Sequence, residues 1–558
     1  MNNKKNITLE EYENEFSYKK SKTNLDIQFN RIAFIFFVFL VISVIYSIQL
    51  LHLGSLKVED SKKFLTVNKN HRADILDRNG NYLVKTVKSI DIGINPIEVI
   101  DKKKLLINLQ LIFPDKNYSD ISKKLEKNKF FYFEKKISSD NYKKIMLLGD
   151  KSIKSEEKLT RIYPQKNLFS HIIGQIDDDN NGISGIEKSF DEELKITKDL
   201  LRLTVDADIQ FLIREELLKF KEVFRAKGSA AILMDINNGA IISMVSIPDF
   251  NLNERKTITD VNYINRATKG VYEFGSVFKT FTVAAGFNES LIEPNTEYLN
   301  LKKQIECDGF KIREYSKKTP TDLTVEEILV RSGNIGSVRI GQKIGEEKFK
   351  SFLNKIGLLE TIDFDIHEVG KPTPIKWGKC KLATVSYGHG ITTTLLQIAK
   401  GYSIVTNGGY DIKPTIIKKK LFKKDSQKRI LNMGVSEKIN KILRKVVTNE
   451  EGTAELANIK GYEVGGKTGT AQISKNGRYT RDKINTFVAV FPSQKPKFTL
   501  VVMLDEPKTN SEYVYYYRNG KEPTKGTPYN TAGWTSVEVA GKIIERIGPI
   551  LATKYMEN

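Results

Sequence analysis

Ser276 and Lys279 lie three residues apart in Tyr272-Glu273-Phe274-Gly275-Ser276-Val277-Phe278-Lys279, at the head of a run that stays apolar to Phe287. Gly275 suits a sharp turn into a buried helix. Residues at i and i+3 share a helical face, so the spacing predicts Lys279 Nζ within reach of Ser276 Oγ. Unpaired N–H groups and the macrodipole at a helix N-terminus favour developing negative charge. The chemistry open to such a pair is nucleophilic: the hydroxyl attacks, and an amine whose pKa is lowered by burial and neighbouring positive charge takes its proton.

The same spacing occurs at Ser17 to Lys20 and Ser155 to Lys158, but in polar runs that read as solvated. Ser276 differs by its apolar context and by two motifs downstream of it. Thr324-Val325-Glu326-Glu327 reads as a capping box opening a short helix, which runs out at the turn Ser332-Gly333-Asn334. A glycine-flanked Lys467-Thr468-Gly469-Thr470 comes later. Ser139-Asp140-Asn141 repeats the middle pattern, yet it precedes Ser276 and breaks the order. Ser-x-x-Lys, Ser-x-Asn and Lys-Thr-Gly in that order resemble the acyl-serine transferases that bind penicillin. Asn265-Arg266-Ala267, Ser386-Tyr387-Gly388-His389-Gly390-Ile391 and Lys467 to Gln472 narrow the resemblance to class B penicillin-binding proteins, and within them to the division-specific peptidoglycan D,D-transpeptidase.

That resemblance implies roles for particular residues. Ser276 is the nucleophile and Lys279 its base, with Ser332 and Lys467 passing a proton to the leaving amine. Asn334 holds the substrate amide and Lys279, while Thr468, Gly469 and Thr470 form the part of the site that grips the terminal carboxylate. The N–H groups of Ser276 and Thr470 make the oxyanion hole. The implied substrates are peptide stems of peptidoglycan, with β-lactams as inhibitors and a septal glycosyltransferase and other divisome membrane proteins as partners. No cofactor, metal or nucleic acid is expected. The elongation-specific relative, and a β-lactam sensor or scaffold without turnover, are the alternatives. Phe274 stands where the family usually has proline, and Ala73 where glycine is usual.

The elements that position these residues span 558 residues, too many for one ordinary core. A net charge of +21 admits an anionic membrane or polymer as partner, but no nucleic-acid signature accompanies it. Residues 1 to 31 read as a polar cytoplasmic tail. The uncharged run from Ile32 reads as an uncleaved single-pass anchor over 32 to 53. Flanking lysines are nearly balanced, so its orientation, with the catalytic part on the outer side of a bacterial cytoplasmic membrane, follows from the resemblance.

Residues 54 to 200 are expected to form a non-catalytic pedestal. Its marks are a hairpin at His71 to Leu83 around Asn79-Gly80, a Lys-rich helical lobe over 101 to 160, then Arg161-Ile162-Tyr163-Pro164 and Gly185-Ile186-Glu187. Residues 201 to 558 should be the transpeptidase domain. There, strands before Ser276 and after Lys467 rejoin in one antiparallel sheet, with helices packed on it, an α+β fold. A final helix over Val537 to Ile547 should stop at Gly548-Pro549. The Tyr-rich stretch from Thr509 to Thr531 is either a substrate-gripping rim or an insertion. Cys307 and Cys380 are too few for a disulfide framework, and their pairing is left open.

One motif points elsewhere. Gly461-Tyr462-Glu463-Val464-Gly465-Gly466-Lys467-Thr468 fits the P-loop pattern, and Leu500 to Glu506 mimics an apolar strand ending in an acid. A P-loop requires a strand before Gly461 and a helix opening at Lys467. The flanking residues favour neither.

Overall fold

The computed structural model describes residues 33–51, 72–197, 199–254, 263–307, 309–421, 427–475, 477–518 and 520–556. The tail over 1 to 31 with Ser17 and Lys20, the ends of the expected span at Ile32, His52 and Leu53, and His71 lie outside the described residues. Helix α1, Ala33–Leu51, is 19 residues long, uncharged and exposed throughout. At 1.5 Å per residue it measures about 28 Å, close to a bilayer's hydrocarbon thickness.

From residue 72 onward the first sheet grows from a hairpin. Strands β1, Ile75–Leu76, and β2, Tyr82–Ile94, pair antiparallel, and the Asp77 carboxylate closes the turn by accepting the N–H groups of Asn79 and Asn81 at 2.9 and 2.8 Å. Helices α2, Lys102–Ile112, α3, Tyr118–Glu126, and α4, Ser139–Met146, alternate with β3, Phe131–Glu134, and β4, Ile153–Ile162. The stretch over 101 to 160 is therefore mixed rather than helical, since β3 and β4 both pair with β2. Strand β4 escaped the sequence reading because most of its side chains are solvated, so no apolar alternation marks it. The lobe has a small core of its own, including Ile92, Leu105, Leu109, Leu125 and Ile145.

Three short motifs that look unrelated in sequence converge beneath this sheet. Arg72 Nε donates to Glu187 Oε2 at 2.5 Å, Arg161 Nε donates to Glu187 Oε1 at 2.8 Å, and the Tyr163 hydroxyl donates to the same oxygen at 3.3 Å. Strand β5, Leu201–Arg202, then runs parallel to β1, and the chain enters helix α5, Ala207–Val223.

The second sheet brings together distant segments. Strands β6, Gly228–Asp235, and β7, Ile241–Ile247, form a hairpin. Helix α6, Phe278–Asn288, follows, then the hairpin of β8, Gln304–Cys307, and β9, Phe310–Arg313. Next come α7, Val325–Val330, α8, Asn334–Ile344, α9, Lys379–Ser386, α10, Leu395–Thr406, and α11, Val435–Thr448. Strands β10, Gly465–Lys475, β11, Arg478–Phe491, and β12, Phe498–Asp505, complete an antiparallel sheet in the order β10-β11-β12-β6-β7. Its central strands are apolar on both faces because helices cover both: α5 and the final helix α12, Ser536–Leu551, on one side, α10 and α11 on the other.

Helix α12 does not stop at Gly548-Pro549 but runs on to Leu551. Pro549 gives up one backbone hydrogen bond, while Ile547 and Leu551 stay buried in the core. Gly548 answers to packing rather than to a cap, since a Cβ there would stand 2.3 Å from the Tyr462 ring. Cys307 at the end of β8 is bonded to Cys380 in α9, with Cα atoms 5.6 Å apart.

Candidate active site

The segment carrying Ser276 folds as a tight 3₁₀ turn, Gly275–Val277, that feeds α6. Gly275 has φ +56°, a left-handed conformation that glycine adopts without strain, and a Cβ there would also meet Thr470 O at 2.8 Å. Phe274, where proline was usual, is fully buried with its ring edge-on to Tyr272 at 6.0 Å, so side-chain packing braces the turn. Gly469 lets the edge strand β10 lie against it: a Cβ at 469 would be 2.2 Å from Phe274 O.

Lys279 is fully buried. Its Nζ donates to Ser332 O at 2.5 Å, to Ser332 Oγ at 3.2 Å and to Asn334 Oδ1 at 2.7 Å. An ammonium has three protons, and all are directed to the Ser332 to Asn334 turn. No hydrogen bond between Lys279 and Ser276 accompanies these contacts among the described residues, although the helical spacing predicts the two within reach. The 3₁₀ turn at Ser276 also departs from the continuous α-helix on which that expectation rested. Ser276 lines the groove beside these contacts.

The capping box at Thr324 and Glu327 starts α7 as the sequence implies, and the helix gives way to Ser332 at φ +60°. This left-handed conformation is costly for a residue with a side chain. It sets Ser332 Oγ between two amines, because Lys467, fully buried in β10, donates to the same oxygen at 2.8 Å and to Thr468 O at 3.2 Å. Burial pulls the Lys279 amine down to about 7, partly opposed by the Glu314 carboxylate. Burial also pulls Lys467 well down, and the charge of Lys279 pushes in the same direction. Two amines held this close and this dry are not both protonated at neutral pH.

A groove of about 640 Å³ runs past these groups, lined by Ser276, Ser332, Asn334, Thr468 and Thr470. Thr468 Oγ1 is 2.7 Å from Thr453 Oγ1, and Thr470 Oγ1 accepts the Ala532 N–H at 2.9 Å, which leaves its own proton free to donate. β10 is the edge of its sheet, so its outer backbone groups are available to an extended peptide. The Tyr-rich stretch divides: Tyr515 is buried and bonded to Thr527 and Trp534, and Tyr513 is bonded to Glu538, whereas Tyr517 and Tyr529 line the groove.

Sequence reasoning missed Glu314, Thr453 and the cluster around His389. The last has Nδ1 at 3.7 Å from Glu273 Oε2, with the Tyr479 hydroxyl donating to Glu273 at 3.0 Å. Only Tyr387-Gly388-His389 carried a sequence signal, as a flanking motif. The phosphate-cradle reading fails. Lys467 pairs with Val488 in mid-strand, and β10 continues to Lys475 where a helix would have to begin.

The sequence matches the family described as the penicillin binding protein transpeptidase domain over residues 229–521 and the penicillin-binding protein dimerisation domain over 68–219. This chain belongs to the penicillin-binding proteins. This penicillin-binding protein is similar to the probable peptidoglycan D,D-transpeptidase FtsI of Caulobacter vibrioides, 28% identical over 87% of this chain and 82% of the relative. It is 29% identical to the stage V sporulation protein D of Bacillus subtilis over 79% and 75%, and 26% identical to the peptidoglycan D,D-transpeptidase FtsI of Escherichia coli over 79% and 80%. The dimerisation match covers the whole sheet of β1 to β5, and the transpeptidase match begins at the second residue of β6 in this penicillin-binding protein.

Proposed function

We propose that this penicillin-binding protein is a class B peptidoglycan D,D-transpeptidase of septal wall synthesis. The observation that carries the reading is Ser332 Oγ held at 2.8 and 3.2 Å from two buried amines, beside a groove that Ser276 lines. Ser276 Oγ attacks the carbonyl carbon of the penultimate D-Ala of a stem peptide, and neutral Lys279 takes its proton. The N–H groups of Ser276 and Thr470 stabilise the oxyanion. As the C–N bond breaks, a proton passes from Lys467 through Ser332 to the amine of the departing D-Ala. Asn334 orients the substrate amide, and the Thr468 and Thr470 hydroxyls hold its terminal carboxylate, with Gly469 between them in the substrate-binding strand. An acceptor amine then attacks the ester, loses a proton and frees Ser276, leaving a cross-link. β-Lactams, which mimic the terminal dipeptide, trap Ser276 at the ester.

The same reading makes α1 a single-pass anchor within 32 to 53 in a bacterial cytoplasmic membrane, with a pedestal over 54 to 200 and a catalytic domain over 201 to 558 on the outer side. Its partners are then a septal glycosyltransferase and further divisome membrane proteins. The test is covalent labelling by a fluorescent penicillin, together with D-Ala release from a stem peptide supplied with an amine acceptor. Ser276→Ala should lose both while remaining folded. Labelling that survives the substitution rejects Ser276, and labelling without D-Ala release makes the protein a sensor. A fluorescent fusion found along the side wall rather than at midcell would reject the septal assignment.

A further inference from the structure

We propose that Glu314 is a positioning residue for acylation, locking the Ser332-Gly333-Asn334 turn and supplying a negative charge beside Lys279. The inference rests on the reading of Lys279 as the base. Glu314 lies at the exit of the β8–β9 hairpin, outside the three motifs, and lines the groove with Ser276. Its two carboxylate oxygens accept the N–H groups of Asn334 at 2.8 Å and Ile335 at 2.7 Å. It thereby satisfies orphan donors at the first turn of α8, whose Gly333 cap supplies no side-chain bond. The neighbouring carbonyl of Arg313 accepts Asn334 Nδ2 at 2.7 Å. With that amide nitrogen engaged, Asn334 Oδ1 is turned toward Lys279, where it accepts at 2.7 Å. Arg313 and Glu314 together fix both the backbone and the side chain of the residue that orients Lys279.

The carboxylate also has an electrostatic task. Burial alone makes Lys279 a weak base, since desolvation penalises the protonated form. The charged group bearing on Lys279 is Glu314, which favours its protonation, while the charge of Lys279 in turn disfavours protonation of Lys467 on β10. Arg331, next to the turn, is paired with Glu451 at 2.8 Å. A base is most effective when its pKa lies near the working pH. Glu314 restores basicity that burial removes.

Neutral Lys279 is the active form, so the acylation rate falls as pH drops through its pKa. Glu314→Gln keeps the size of the side chain and removes the charge, so that pKa falls further and the acid limb moves to lower pH, by about one unit for the loss of one neighbouring opposite charge. Because glutamine can accept only through one oxygen, the plateau drops as well, by about tenfold. Glu314→Asp keeps the charge on a shorter arm. It should lower the plateau with the limb staying much nearer its wild-type position. The measurement is the second-order rate of acylation by one β-lactam from pH 5 to 9 for the full-length protein and both variants, with circular dichroism reporting the fold. Equal plateau losses with the limb unmoved in Glu314→Gln would leave Glu314 a structural cap and overturn the inference alone. A wild-type profile with no acid limb would overturn the assignment of Lys279 as base, and this inference with it.

Discussion

Gly388 packs on Gly275 so closely that a Cβ on Gly388 would stand 1.8 Å from the Gly275 carbonyl oxygen. Gly388 also has φ +89°. The loop after α9 is therefore a backstop for the turn that carries Ser276. Gly388→Ala has to move one of the two, and a displacement of about 1 Å at a reacting group costs on the order of 100-fold in rate. Acylation by a β-lactam should fall by about that factor, with a loss of melting temperature of a few degrees. Wild-type acylation in this variant would show that the turn does not depend on the backstop.

A second contact concerns stability rather than chemistry. Glu187 is fully buried between Arg72 and Arg161, and removing one partner of such a network leaves a charge uncompensated. Glu187→Ala should destabilise the protein by about 3–5 kcal/mol, measured by chemical denaturation. Protein that remains folded should acylate at the wild-type rate, since this network lies in the first sheet and not in the groove. Unchanged stability would mean that the two guanidiniums find other partners.

The disulfide joins the hairpin that presents Arg313 and Glu314 to the helix that leads into Gly388. Thiol titration of the denatured, unreduced protein should find no free thiol. Closing a loop of 73 residues is worth about 4 kcal/mol in the chain-entropy view, and less once strain is included. The double variant Cys307→Ser, Cys380→Ser should lose about 2–4 kcal/mol and acylate several-fold more slowly. Free thiols in the isolated protein would refute the pairing, and a variant with wild-type kinetics would show that the hairpin holds its place without it.

The fold class, the antiparallel sheet split around the helices and the order of the three motifs were legible in the sequence, because apolar runs and short motifs are local signals. Glu314 and the Gly388–Gly275 contact were not. Those are tertiary approaches between segments whose spacing carries no information: Glu314 is 20 residues from Asn334 and shares no periodicity with it. β4 was lost because solvated strands do not alternate. The end of α12 was misjudged because Gly548-Pro549 is a stop signal only where no neighbour demands a glycine, and Tyr462 does. The Tyr-rich stretch divides by burial, which spacing does not announce, with Tyr513 and Tyr515 packed inward and Tyr517 and Tyr529 on the groove.

The two lysines of the site should respond differently to arginine, which keeps a positive charge but does not deprotonate in proteins. Lys279 is the proposed base, so Lys279→Arg removes the only form that can take the proton from Ser276. The acylation rate should fall by the 10²–10⁴-fold typical of lost general-base catalysis, or about as far as in Ser276→Ala. Lys467 contacts Ser332 Oγ, so its proposed task is to orient that hydroxyl, which a guanidinium can still do, and Lys467→Arg should retain a measurable rate. Its pH profile gives a second reading. A permanent charge at 467 disfavours protonation of Lys279, so the acid limb, expected near 7 in the wild type, should move to lower pH. Acylation rates for both variants across pH, with circular dichroism confirming the fold, decide the matter. Equal losses in the two variants, or normal acylation in Lys279→Arg, would assign the base to Lys467 instead.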